Sequence, residues 1–263
     1  MSPPPESFWA ELPLGRGVQL LTCDANGVAA LCKPAGVLSH PNERADHPRS
    51  LLTVHYNTVT EGYEWPAPGG GEPRRLWLLN RLDSATSGAI LVAADEALAQ
   101  EIRAQFKRKQ VRKTYHALVF GVPRPARDVW RDRLAVVKKG GQIRTAAAGF
   151  VPAETAMRLL RTGIGPQPVS LLQLEPHTGR SHQLRVQCAK RHLPIVGDQT
   201  YGDFPRNRDF ARQTAEKRLF LHSLETRFDY EVAGRKFSFA AQAPPPPEFT
   251  QALFGTHGGR TGD

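Results

Sequence analysis

The stretch LWLLNRLDSATSGAILVAA, Leu76 to Ala94, decides how this chain is to be read. Two apolar runs, Leu76–Leu79 and Ala89–Ala94, have the length and composition of buried strands. The junction between them carries an arginine, an aspartate and a cluster of small residues. A carboxylate beside two core strands is unfavourable unless something offsets its desolvation. Local pattern leaves two readings of Asp83. It is a turn aspartate that accepts the N–H of Ala85 or Thr86, or it is a functional carboxylate whose partners lie elsewhere in the chain.

Working outward, Gly17–Pro41 reads as strand, Asn26-Gly27 turn, strand and a Pro-Gly turn. Residues 61–75 read as a Gly/Pro-rich surface loop. From Asp95 to Lys109 the period becomes helical, with Asp95 as cap and Leu98, Ile102 and Phe106 on one face. KTYHALVFG alternates as a strand, with Tyr115, Ala117 and Val119 on one side. VSLLQLEP (169–176) is another strand, and residues 181–192 a second helix with Ser181 as a possible cap. LFLHSLETRFDY and KFSFAAQAP form a closing hairpin. Strands outnumber helices, which predicts an α+β fold around a mixed, largely antiparallel sheet. The expected organisation is a loose lead-in (1–15), a single domain (16–244) and a Pro/Gly-rich, mobile tail (245–263).

The 263 residues carry 35 Lys and Arg against 25 Asp and Glu, a net charge of +10. That excess favours a polyanionic partner. No apolar run is long enough to span a bilayer, and the N-terminus has no secretory pattern, so a cytoplasmic protein is expected. Three scattered cysteines give no disulfide framework. His177, His182, Cys188 and His192 fall close together but match no zinc-finger spacing; local packing accounts for them.

Several other residues could carry chemistry. Tyr115 is a core tyrosine, or a ring at a pocket edge that stacks on a base or handles a proton. Arg185 is a solvated helix cation, or an inward-facing partner that keeps Asp83 ionised. Arg180, at a Gly-Arg turn opening a helix, is a surface residue or a phosphate ligand. Arg103, Lys107, Arg108, Lys109, Arg112 and Lys113 crowd one helix end without an intervening acid. A helix C-terminus favours cations, but this many suggests a track for phosphates.

With these residues in view, the sequence resembles the pseudouridine synthases that modify ribosomal large-subunit and transfer RNA. CKPAGVLSHP resembles that family's Lys-Pro-x-Gly element, and NRLDSATSG its Arg-Leu-Asp-x-x-Thr-Ser-Gly signature. RKTYHALV, EPHTGRSHQLRV and PIVGDQTYG resemble its three later elements, in the right order. Asn80 and Gln187 depart from the pattern, each standing where the family commonly has His. The chain starts too close to the first motif for the small N-terminal S4-like domain of many relatives. The resemblance implies a central sheet in two halves with flanking helices and a central catalytic cleft. It implies isomerisation of uridine in RNA, with N1–C1′ broken and C5–C1′ formed, and no cofactor or metal. Asp83 is then the essential carboxylate, as nucleophile or as the base that forms a glycal. Tyr115 lies against the uracil, Arg185 pairs with Asp83, and Arg81 fills the space left by the flipped nucleotide. The implied partner is a ribosomal or transfer RNA stem-loop, bound by a monomer.

Two other classes compete. A non-catalytic RNA-binding protein would use the basic surface without needing the Asp83, Tyr115 and Arg185 set. A nucleoside or glycoside hydrolase would use Asp83 as nucleophile but would normally need a second carboxylate.

Overall fold

The computed structural model of the chain describes residues 4–139, 142–163 and 168–254. The chain divides into two compact units, one of residues 1–113 and 223–244, the other of residues 114–222 and those from Pro245.

In the first unit, β1 (Gln19–Cys23) and β2 (Val28–Lys33) form the expected hairpin about Asn26-Gly27, with Gly27 at φ +98°. The sheet runs β3 (His55–Asn57), β4 (Gly62–Trp65), β5 (Arg74–Leu78), β6 (Ser87–Ala93), and β2 and β1 extend from β6. These ladders are antiparallel. β11 (Leu221–Val232) neighbours β6 and pairs antiparallel with β12 (Arg235–Gln242), the expected closing hairpin. Gly88 permits the close approach of β6 to β11. It sits at φ +116°, and a Cβ there would meet the Ser223 carbonyl at 2.2 Å.

Helix α2 (Glu96–Arg108) is capped as anticipated, Asp95 Oδ1 accepting the Leu98 N–H at 2.8 Å. Its buried stripe of Leu98, Ala99 and Ile102 packs with Trp77, Leu91, Phe228 and Phe239. Burying each large side chain of that stripe contributes about 1.5–3 kcal/mol.

In the second unit the order is β7 (Arg112–Phe120), β10 (Val169–Pro176), β9 (Gln142–Thr162), β8 (Arg127–Lys139), antiparallel throughout. The β8–β9 hairpin had no counterpart among the sequence expectations. Helix α3 (Gln183–Lys190) lays Val186 on Leu134 and Ala153 of that hairpin. Helices α4 (Phe204–Thr214) and α5 (Pro247–Phe254) contribute Phe210, Phe249 and Leu253 to a core with Leu118, Phe120 and Phe220.

Four expectations need correction. The lead-in forms α1 (Glu6–Ala10) and buries Phe8, Trp9 and Leu12, because an apolar cluster follows the prolines. The 61–75 loop yields β4, whose Tyr63 and Trp65 are buried. The tail after Pro244 contains α5, held by Phe249 and Leu253; residues 255–263 lie outside the described residues. Helix α3 begins at Gln183 behind His182 at φ +53°, with no Ser181 side-chain cap. Among the described residues no helix is long and apolar enough to cross a membrane.

Candidate active site

Asp83 is half-buried in the connection from β5 to β6, and both of its neighbours are pinned. The Ser39 hydroxyl donates to the Leu82 carbonyl at 2.7 Å and accepts the Leu82 N–H at 3.0 Å. On the other side, the Ser84 carbonyl accepts from Lys33 Nζ at 3.0 Å and from the Gly36 N–H at 2.8 Å. The Lys33 ammonium is fully buried and also donates to the Pro34 and Val37 carbonyls, at 3.0 and 2.7 Å. A buried ammonium is tolerable only with such satisfaction. Ser39 is itself anchored, since its carbonyl accepts from the Tyr63 hydroxyl at 2.7 Å.

The turn closes through the backbone: the Thr86 N–H donates to the Asp83 carbonyl at 3.0 Å. That donor therefore serves the main chain. Leu82 is buried between the exposed Arg81 and the half-buried Asp83. The Asn80 side chain is structural. Its Oδ1 accepts the Leu91 N–H at 2.8 Å, so the residue replacing the family's His continues the strand register.

Arg81 is 62 % exposed, with Nη1 3.7 Å from Glu61 Oε1. An exposed pair of this kind contributes little to stability, which leaves the guanidinium available for substrate. In the basic run, Arg103 turns inward and donates to the carbonyls of Leu78, Thr60 and Glu61. It fastens α2 to the sheet and is not a surface cation. Lys107, Arg108, Lys109 and Arg112 are exposed. Arg108 donates to Glu101 at 2.8 Å, and Lys109 ends α2 in the left-handed region at φ 61°. Lys113 is half-buried with Nζ 5.9 Å from the centre of the Phe106 ring; burial pushes its ammonium pKa down to about 8.

The remaining candidates belong to the second unit. Tyr115 lies on β7, half-buried, opposite Leu174 of β10. Arg185 is buried on α3 and forms a bidentate pair with Asp198, Nε to Oδ2 and Nη2 to Oδ1, both at 2.8 Å. Asp198 Oδ1 also accepts the N–H groups of Thr200 and Tyr201, at 2.8 and 3.0 Å. Burial works to raise the Asp198 pKa, but Arg185 and those two N–H groups outweigh it and hold the carboxyl below its usual range. The Tyr201 ring lies 5.2 Å beneath the Arg185 guanidinium, and its hydroxyl accepts the Thr145 N–H and meets His182 Nδ1 at 2.8 Å.

Asp198 and Tyr201 thus orient Arg185, a role that sequence reasoning missed. The available signal was the Gly-Asp-x-x-Tyr-Gly spacing, which puts two backbone donors just after the aspartate. Arg180 donates from Nε to the Pro152 carbonyl at 3.2 Å, while its N–H donates to Gln183 Oε1 at 3.1 Å. Gln187, the second departure from the family pattern, is fully buried. It accepts from Thr155 Oγ1 at 2.7 Å and donates to Asp132 Oδ2 at 2.8 Å, tying α3 to the hairpin. His177 pairs with Glu154 at 2.9 Å and Cys188 is buried in α3. Among the described residues no group of three or more His, Cys, Asp or Glu could hold a metal ion.

Comparison with known proteins agrees with this reading. Residues 27–190 match the family model described as RNA pseudouridylate synthase. The tRNA pseudouridine synthase C of Yersinia pestis is 29% identical over 255 residues, spanning 88% of this chain and 89% of that protein. That of Vibrio cholerae is 30% identical over 212 residues, spanning 76% and 81%. Human RNA Pseudouridylate Synthase Domain Containing 1 superposes with a TM-score of 0.65 over 90% of this chain and 87% of that one, at 24% identity, which shows a shared α+β fold. The chain therefore belongs to the RNA pseudouridine synthase family and is an isomerase that acts on RNA.

Proposed function

We propose that Asp83 is the essential carboxylate of this isomerase and that its substrate is a uridine in transfer RNA. The observation that carries the assignment of Asp83 is the double clamp on Leu82 and Ser84. A carboxylate whose neighbours are fixed by buried hydrogen bonds meets an extruded nucleotide without reorganising. The names of the Yersinia pestis and Vibrio cholerae relatives support transfer RNA over ribosomal RNA.

Asp83 either bonds to C1′ or removes a ribose proton to form a glycal. In both routes N1 leaves C1′, the uracil turns, and C5 bonds to C1′. The C5 proton passes to solvent, N1 regains a proton, and the carboxylate is restored. Tyr115 lies against the uracil and assists loss of the C5 proton. Arg185, held rigid by Asp198, is the cation of the catalytic set. Arg81 occupies the place of the flipped base. Arg180, Lys107, Arg108, Lys109, Arg112 and Lys113 contact phosphates. The protein works as a cytoplasmic monomer without a cofactor.

Unmodified transfer RNA and ribosomal large-subunit transcripts, tritiated at C5 of uridine, test the proposal. Tritium release from transfer RNA with unchanged product mass is expected. Release of free uracil would make the protein a hydrolase. Binding without any covalent change would make it an RNA-binding protein.

A further inference from the structure

We infer that the solvent face of the β8–β9 hairpin is a second RNA-docking surface, a row of arginines that holds phosphates of the substrate RNA outside the reacting nucleotide. The inference rests on the RNA-isomerase reading above. Along β8, Arg127, Val129, Arg131 and Arg133 are exposed, while Trp130, Asp132 and Leu134 are buried. Alternate residues of a strand stand about 6.8 Å apart, so Arg127 to Arg133 covers about 20 Å, a length that spans several phosphates.

The pairing across the hairpin is unusual. Arg127 stands directly opposite Arg158 on β9. Facing side chains of a ladder are close neighbours, and like charges there are mutually destabilising. Arg131, by contrast, faces Glu154 and pairs with it at 3.0 Å. Among the described residues, Arg127, Arg133 and Arg158 have no ion-pair partner; Arg158 donates only to Gln173, at 3.1 Å. Charge on an edge strand protects against sheet-to-sheet aggregation, and that accounts for β8. It does not account for Arg158, because β9 is covered on both sides by β8 and β10.

The two ends of the row have further structure. Arg127 and Arg158, together with Met157, Gln173 and two acids, Asp128 and Glu175, line an open groove of about 490 Å³. At the other end Arg133 pairs with Pro152, whose carbonyl accepts from Arg180 at 3.2 Å. The row therefore leads from the groove to a residue already proposed to contact phosphate. Guanidinium forks match phosphate oxygens bidentately, and a bound phosphate would relieve the Arg127–Arg158 repulsion.

The test is the full chain with Arg127→Gln, Arg133→Gln and Arg158→Gln together. Binding to bulk transfer RNA is followed by fluorescence anisotropy over a series of KCl concentrations. The slope of log affinity on log salt should flatten by roughly two units, from about 0.7 per lost contact, with affinity at low salt roughly tenfold lower. The corresponding Arg→Lys triple variant should retain most of the slope. The melting temperature of the Gln variant should equal or exceed that of wild type, since a like-charge pair is removed; should it fall, Arg127→Gln alone decides. An unchanged slope and affinity in the folded variant overturns the inference and shows that this face does not meet RNA. A wild-type protein that releases no tritium while the variant loses affinity would instead keep the docking face and sink the isomerase reading.

Discussion

The ammonium of Lys33, without any solvent exposure, donates to the main-chain carbonyl of Ser84 at 3.0 Å, one residue from Asp83. A lysine in a Lys-Pro-x-Gly turn thus acts as an internal strut of the Asp83 turn rather than as a surface cation. Lys33→Met keeps the bulk but leaves the carbonyls of Pro34, Val37 and Ser84 without this donor. Stability should fall by about 3 kcal/mol, as buried groups lose a charged partner, with tritium release falling further than RNA affinity. Denaturant unfolding and kinetics on the same preparation check this, and wild-type activity in the variant would remove the strut from the mechanism.

Asp83→Asn conserves size and hydrogen-bonding capacity but removes the full negative charge. It should fold and bind RNA within a few-fold of wild type, well under the tenfold that corresponds to about 1.4 kcal/mol, and release tritium only at background. Robust release would rule out Asp83 as the catalytic group.

Asp198 and Asp132 carry carboxyl pKa values that the fold holds below their ordinary range. At both, burial works upward and is outweighed. Arg185 leads the opposing groups at Asp198; Lys190, Gln187 and Arg191 do so at Asp132. Groups lowered by folding stabilise the protein fully above their unfolded pKa, about 3.9. That contribution is lost as pH falls through the lower native values. Unfolding should therefore set in on acidification below about pH 4, and Asp198→Asn should flatten this part of the curve while costing about 3 kcal/mol at neutral pH, because it removes the carboxylate from a buried bidentate pair with Arg185. Denaturant midpoints across the acid range measure both effects.

Lys113 acts in the same direction, over a higher pH window. Burial lowers its pKa to about 8, below the ordinary value of about 10.4. Between those values the unfolded chain binds more protons than the native one, so this group makes stability rise with pH. Lys113→Met should remove that rise, seen as nearly equal denaturant midpoints at both ends of the window.

Gly88→Ala places a Cβ 2.2 Å from the Ser223 carbonyl oxygen and 2.6 Å from its nitrogen, at a φ of +116° that other residues avoid. Neither backbone can yield without separating β6 from β11. A loss of about 3 kcal/mol or more is expected, in the range reserved for core strain; thermal unfolding of the variant checks it.

Much of the fold was legible because its elements obey simple periods. β6 is a continuous apolar run, α2 repeats every four residues behind a capping aspartate, and the β1–β2 turn carries Asn-Gly. The β8–β9 hairpin escaped because its alternation is written in charges: arginines on the outer face of β8 and Asp132 on the inner one dilute the apolar signal. Helix α5 escaped because it opens on the last of four consecutive prolines, although Phe249 and Leu253 have the spacing of one helix face. In the candidate site, Asp83 and its flanks were visible through an ordered set of motifs. The burial of Lys33 was not, since its acceptors are main-chain carbonyls that no side-chain pattern encodes. Arg185 was expected to face inward, but its pairing with Asp198 joins a helix to a turn thirteen residues later, beyond any local period.

The division of the chain also bears on how it matures. Each unit is assembled from two separated segments: residues 1–113 wait for 223–244, and residues 114–222 wait for the segment from Pro245. On a ribosome, the first unit lacks the β11–β12 half of its core until residue 244 has emerged. The second lacks Phe249 and Leu253 until shortly afterwards. Folding that ordinarily proceeds from the N-terminus as synthesis advances is here deferred, and neither core closes before residues 223–244 and 249–253 have been made. Until then the nascent chain exposes apolar strands, which makes it a client for chaperones that shield such surfaces during translation.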